Sequence, residues 1–180
     1  MNAAKALWSW YVRELSSKPL LTQAITTGVI YGLGDIIAQQ AVDRRTIREH
    51  KWRRTVKVTL IGLCFTGPVI ATWFKTLDKM FGPTVTAKDA VKKMLVDQLA
   101  FAPVLFLCLL PLFSYTQGNN WSQTKEKLSK DYVNTLMGCY KLWPGVQLIN
   151  FYIIPLKFRV NFTNVVSLGW NTYIAWVAHR

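Results

Sequence analysis

Apolar and polar positions along this chain fall into long blocks rather than short alternations. Five apolar segments stand out, at 21–41, 58–74, 94–117, 132–156 and 160–178. Each is close to the length of about 20 residues that a helix needs to cross a bilayer. The period inside them is helical. In the first, LTQAITTGVIYGLGDIIAQQA, residues Gly28, Gly32, Asp35 and Gln39 share one stripe at i, i+4, i+7 and i+11. Glycines at that spacing let another helix approach backbone to backbone. A carboxylate further along the stripe is costly in hydrocarbon and belongs to a protein interior or to water. The pattern predicts an all-α integral membrane protein, a bundle of four to five kinked transmembrane helices preceded by an amphipathic N-terminal helix. That leading helix is read from Ala4, Leu7, Trp8, Tyr11, Val12 and Leu15, which share a face, with Lys5, Arg13 and Glu14 off it.

The number of spans stays open because the fifth segment is uncharged without being uniformly apolar. Asn161, Asn164, Ser167 and Asn171 recur in it at helical spacing, and Trp170, Tyr173 and Trp176 cluster toward its end. Such a segment either crosses or lies against the bundle as a re-entrant or interfacial helix. Pro103 and Pro111 fall in the third segment, Pro144 and Pro155 in the fourth. Membrane helices tolerate proline where neighbours satisfy the freed carbonyl. Kinks of this kind suit a bundle around a cavity and suit plain packing equally.

Composition sharpens the picture once the charges are located. The 180 residues, read as a single membrane domain, are 51% hydrophobic yet carry a net charge of +13. Of 22 Lys and Arg and 9 Asp and Glu, only Asp35, Asp97 and Lys141 fall inside the five segments. A bilayer demands that segregation, and an amphipathic soluble helix does not show it. The densest basic run is the loop 42–57, in which Arg44, Arg45, Arg48, Arg53 and Arg54 are the candidate contacts to lipid headgroups. Anionic lipid, cardiolipin included, is the partner such a loop implies. Because the cations sit in short loops between apolar spans, direct nucleic-acid binding is not expected. Orientation stays open, since basic residues are shared almost evenly between the two faces. Cys64, Cys108 and Cys139 lie within apolar segments without C-x-x-C spacing, and read as small buried hydrophobes.

The remaining candidates for chemistry are polar residues within the spans. Asp35, Gln39, Asp97, Gln98, Lys141, Gln147 and Asn150 are the candidate lining of a water-filled passage. Their alternative role is interhelical hydrogen bonding. Asp97 lies near the start of its span with Lys93 one turn back, and Gln147 and Asn150 share a stripe with Trp143. Lys141 shares a stripe with Asn134, Gly138 and Gly145; it either pairs with Asp35 or snorkels toward an interface. Gly28, Gly32, Gly34, Gly67 and Pro68 are the candidate helix-packing positions. Gly32-Leu33-Gly34 is not a dinucleotide fingerprint, because Ile37 stands where the third glycine belongs. No nucleophile–base pair is apparent, and His50 and His179 have no metal-ligand spacing, so neither an enzyme nor a cofactor is expected.

A family likeness is carried by particular residues. They are Gly32-x-Gly34-Asp35, Gly67-Pro68 with Trp73, Asp97-Gln98 with Ala102-Pro103, and above all a C-terminal pattern. That pattern runs Trp143-Pro144-x-x-Gln147-x-x-Asn150-Phe151-x-x-x-Pro155-x-x-x-Arg159, then Trp170-Asn171-x-Tyr173-x-x-Trp176. Over essentially its whole length the chain resembles the Mpv-seventeen/peroxisomal-membrane-protein family, and within it the mitochondrial inner-membrane branch. The resemblance implies a small protein of four spans that acts as a weakly selective channel for small solutes. It also implies links to membrane potential, reactive oxygen species and upkeep of mitochondrial DNA and the nucleotide pool. Homo-oligomers and a mitochondrial inner-membrane location are the matching expectations, with the peroxisomal membrane as the alternative. A non-conducting membrane scaffold is the competing functional class.

Overall fold

The computed structural model describes residues 3–42 and 46–178, with side chains described for 3–41 and 46–170. Its chain is 90% helical, with no strand among the described residues. The order is α1 (Ala3–Ser17), α2 (Pro19–Ile37), α3 (Trp52–Ile61), α4 (Gly67–Phe81), α5 (Ala87–Val96), α6 (Ala102–Thr116), α7 (Trp121–Tyr152) and α8 (Arg159–Ala178). A π turn at Ala38–Val42 continues α2, one at Gly62–Thr66 joins α3 to α4, and one at Asp97–Phe101 joins α5 to α6. Three of the resulting helices are long and apolar enough to cross a membrane: Pro19–Ala41, Trp52–Phe81 and Ala87–Thr116. The fourth and fifth apolar segments are helical too, within α7 and α8. The first half of α7 carries Lys125, Glu126, Lys127, Lys130 and Asp131, which dilute its apolarity.

The helix ends follow local chemistry. Pro19 opens α2, where its missing N–H costs nothing. Thr86 caps α5 in a reciprocal box with Asp89, and Asn120 caps α7 in the same way with Gln123. The two π turns inside long helices precede Gly67-Pro68 and Ala102-Pro103, and their closing N–H groups reach five residues back, Gly67 to Gly62 and Ala102 to Asp97. With Ala102 so engaged and Pro103 lacking an N–H, the Gln98 carbonyl has no donor from its own helix. The Tyr140 hydroxyl supplies one at 3.0 Å, and Tyr132 donates to the Pro103 carbonyl at 3.2 Å.

The chain divides into two compact units, Met1–Thr76 with Pro155–Arg180, and Leu77–Ile154. In the first, α2 packs on α3 and the following π turn at very short range. A Cβ on Gly32 would lie 2.5 Å from Thr59 Oγ1, and one on Gly67 2.7 Å from the Ala24 Cα. Gly28 meets Leu63 and Gly62 meets Thr27 just as closely, and Gly34 lies against Leu168 of α8. Pro68 is half-buried at the next position of α4. Leu15, Val58, Phe74 and Val160 complete the apolar core of this unit.

The N-terminal helix is only partly covered. Leu15 is buried, but Leu7 and Trp8 of the face predicted to be apolar are exposed. The Trp8 ring stacks on Tyr11 and Phe158, and the Tyr11 hydroxyl accepts from Asn161 Nδ2 at 2.7 Å. Asn164 Nδ2 donates to Thr27 Oγ1 at 2.9 Å, tying α8 to α2. In the second unit, α7 lies along α5 and α6 over a core of Leu77, Ala90, Leu109, Cys139, Val146 and Phe151. Lys93 is wholly buried there, its ammonium held by the Asp78 carboxylate, the Gly82 carbonyl and Thr84 Oγ1. Cys139 is buried, but Cys64 and Cys108 are exposed, outside the interior that their apolar surroundings suggested.

Candidate functional site

Each unit contains one buried polar centre built on a π turn. In the first, the stripe Gly28–Gly32–Asp35–Gln39 of α2 meets an antiparallel stripe Thr55–Thr59–Gly62–Thr66 with the same spacing. Glycine against threonine brings the backbones together, and the last positions become an electrostatic centre. Asp35 Oδ1 pairs with Arg54 Nε at 2.8 Å. Asp35 Oδ2 accepts from Thr55 Oγ1 at 2.6 Å and from Gln39 Nε2 at 2.7 Å. Gln39 Oε1 in turn accepts the Lys51 backbone N–H at 2.8 Å. His50 Nε2 lies 2.9 Å from Thr55 Oγ1. Thr55 gives its single proton to Asp35, so His50 Nε2 carries the hydrogen of that contact. The other ring nitrogen, Nδ1, is buried with no hydrogen-bond partner.

Of the two roles open to Lys141, pairing with Asp35 is already filled by another residue. The cation that neutralises Asp35 is Arg54, from the basic loop, whereas Lys141 is exposed. Arg54 reaches the carboxylate from within the same unit, three residues into α3, where helical spacing also places Thr55 and Val58 toward α2. Arg48 and Arg53 are exposed at the loop, while Arg44 and Arg45 lie outside the described residues. Thr55 and His50 escaped the sequence reading. The spacing of Thr55, Thr59, Gly62 and Thr66, which matches that of the α2 stripe, is the signal in the sequence for the first; His50, outside any span, has none.

In the second unit the centre is a string of amides around Asp97. Gln98 Nε2 and Gln147 Nε2 both donate to Asp97 Oδ2, at 2.7 and 2.9 Å. Asn150 Nδ2 donates to Gln147 Oε1 at 2.8 Å. All four side chains are buried. Two acceptors at the ends of the string, Gln98 Oε1 and Asn150 Oδ1, are buried without a hydrogen-bond partner. Of the seven predicted lining residues, Asp35 and Gln39 are thus joined in one unit and Asp97, Gln98, Gln147 and Asn150 in the other, with Lys141 apart. A cavity of about 100 Å³ at the α6–α7 turn is lined by Leu110, Phe113, Ser114 and Thr124 and by none of these seven. Among the described residues no group of His, Cys, Asp and Glu is placed to hold a metal.

Long apolar helices that bury carboxylates, amides and a guanidinium against one another define a polytopic helical membrane protein. The comparisons narrow that class. The model of the Mpv17 / PMP22 family matches residues 114–175. The human mitochondrial inner membrane protein Mpv17 is 45% identical over 175 residues, 97% of this chain and 99% of the relative. The rat protein of that name is 42% identical with the same coverage. Protein sym-1 of Neurospora crassa is 41% identical over 94% of this chain and 97% of its own. No solved structure matches. The chain belongs to the Mpv17 / PMP22 family, and its location is the mitochondrial inner membrane.

Proposed function

We propose that this chain is a weakly selective channel for small solutes or ions across the mitochondrial inner membrane. Through that leak it contributes to membrane potential, to the control of reactive oxygen species and to upkeep of mitochondrial DNA and its nucleotide pool. The observation that carries the reading is the string Asp97–Gln98–Gln147–Asn150, in which two buried amide oxygens await donors. Water or a polar solute satisfies such oxygens, and neutral amides discriminate little among small solutes, while a carboxylate biases the path toward cations. The proposal includes α7 as a further span and several copies assembling around the path, without catalysis or a bound cofactor. Reconstitution of the purified protein in a planar bilayer tests it. Discrete currents that shift in cation-to-anion ratio with Asp97→Asn are the expected result; a folded protein that never conducts overturns it.

A second reading, a non-conducting scaffold, is favoured by the Asp35 centre. There Arg54, Thr55 and Gln39 from the same unit already occupy the carboxylate. Polar residues so paired act as interhelical glue. Silence in the bilayer with full thermal stability selects this reading.

A further inference from the structure

We infer that residues 47–53 form a docking site for the phosphate headgroup of an anionic phospholipid, held in shape by the buried Asp35 centre. The stretch leads into Trp52–Phe81, one of the helices able to cross the membrane, so it meets the boundary between hydrocarbon and headgroups. Two apolar side chains stand out from it, Ile47 at 71% and Trp52 at 57% exposure. A tryptophan at that depth is an interfacial anchor. Lys51 and Arg53 flank it and are exposed, as is Arg48. The acid of the stretch, Glu49, is turned back on the chain, its Oε2 accepting the Thr46 N–H and hydroxyl at 3.2 and 3.1 Å, and three cations outnumber it. Arg54 turns inward to Asp35 and leaves the headgroup set.

What separates this site from a loose basic loop is its backbone. Lys51 N–H is bonded to Gln39 Oε1, and Gln39 is bonded to Asp35, so the first cation beside Trp52 has a fixed origin. A Lys and an Arg on either side of an exposed tryptophan, the first rooted in a fixed backbone, suit a phosphodiester, which offers charge and acceptor oxygens together. The inference does not rest on conduction.

The test uses the full-length protein in phosphatidylcholine bilayers containing spin-labelled phosphatidylglycerol or spin-labelled phosphatidylcholine, comparing the fraction of each immobilised at the protein. The native protein is expected to prefer phosphatidylglycerol. R48Q/K51Q/R53Q should reduce that preference by up to about fivefold per cation removed. K88Q/K92Q/K125Q removes three exposed cations elsewhere and should leave the preference intact. Gln39→Ala removes no charge, yet frees Lys51 and should weaken the preference too. Equal immobilisation of both lipids by the native protein overturns the site, and so does an equal loss in the two triple variants. Full displacement of the labelled lipid by soluble glycerol phosphate refutes the membrane lipid as occupant. An undiminished preference in folded Gln39→Ala severs the link to Asp35; should that variant fail to fold, the two triple variants still decide.

Discussion

At the scale of single residues, the Asp35–Arg54 pair determines how the first centre responds to change. Removing the carboxylate charge leaves a half-buried guanidinium without its counter-charge. Breaking a fully buried pair costs about 3–5 kcal/mol. Arg54 keeps 27% of its side chain exposed, so Asp35→Asn should cost less than that, about 2 kcal/mol. Arg54→Met in the same chain should recover much of it. Thermal melts of the two single variants and the double variant read the coupling directly, and additive losses would separate the two residues. Asp35 itself was legible from sequence, because a carboxylate on a glycine stripe inside an apolar run has few places to be. Its partner was hidden by abundance: among seven neighbouring cations, nothing in the spacing alone marks the one that turns inward. Lys141 drew attention because it is the lone cation inside an apolar segment, and it proves exposed.

At the scale of elements, the glycines sort into two kinds. Gly28, Gly32, Gly62 and Gly67 sit where a side chain would enter a neighbouring helix. Gly138 and Gly145 also have helical spacing, but a Cβ at either meets nothing within 4 Å. Gly32→Leu should therefore lower stability by about 3 kcal/mol or more through overpacking against Thr59. Gly138→Ala should raise it by about 1 kcal/mol through helix propensity. Melting of both variants in one detergent checks the contrast, and equal effects would show that the short approach of α2 to α3 is not what the glycines serve. The helices themselves were legible as blocks of apolar residues. Their true ends were not, since α3 begins at Trp52 inside the basic run and α7 extends far back into charged sequence. Charge marks where a membrane ends, not where a helix does.

At the scale of the molecule, segregation of charge predicts that the loop before α3 faces water. A cysteine introduced by Arg48→Cys, with Cys64, Cys108 and Cys139 replaced, should react with an impermeant maleimide from one side of sealed vesicles only. Protection from both sides would remove the loop from the aqueous face. All three helices able to cross carry a π turn, Ala38–Val42 at the end of the first, Gly62–Thr66 and Asp97–Phe101 inside the other two. A π turn amounts to one residue inserted into an α-helix. Because the turn already absorbs that residue, deleting one within it restores the ordinary ladder and leaves the two flanks facing nearly as before, whereas a deletion in a regular turn rotates them by about 100°. For the third of these helices, such a deletion falls on the stretch that carries Asp97 and Gln98, so the loss is local, in their bonds to Gln147 and Tyr140, and the apolar faces of α5 and α6 keep their directions. Along these helices a change of one in the residue count is therefore absorbed best at the π turns and worst in the regular turns beside them, where every following side chain would change face.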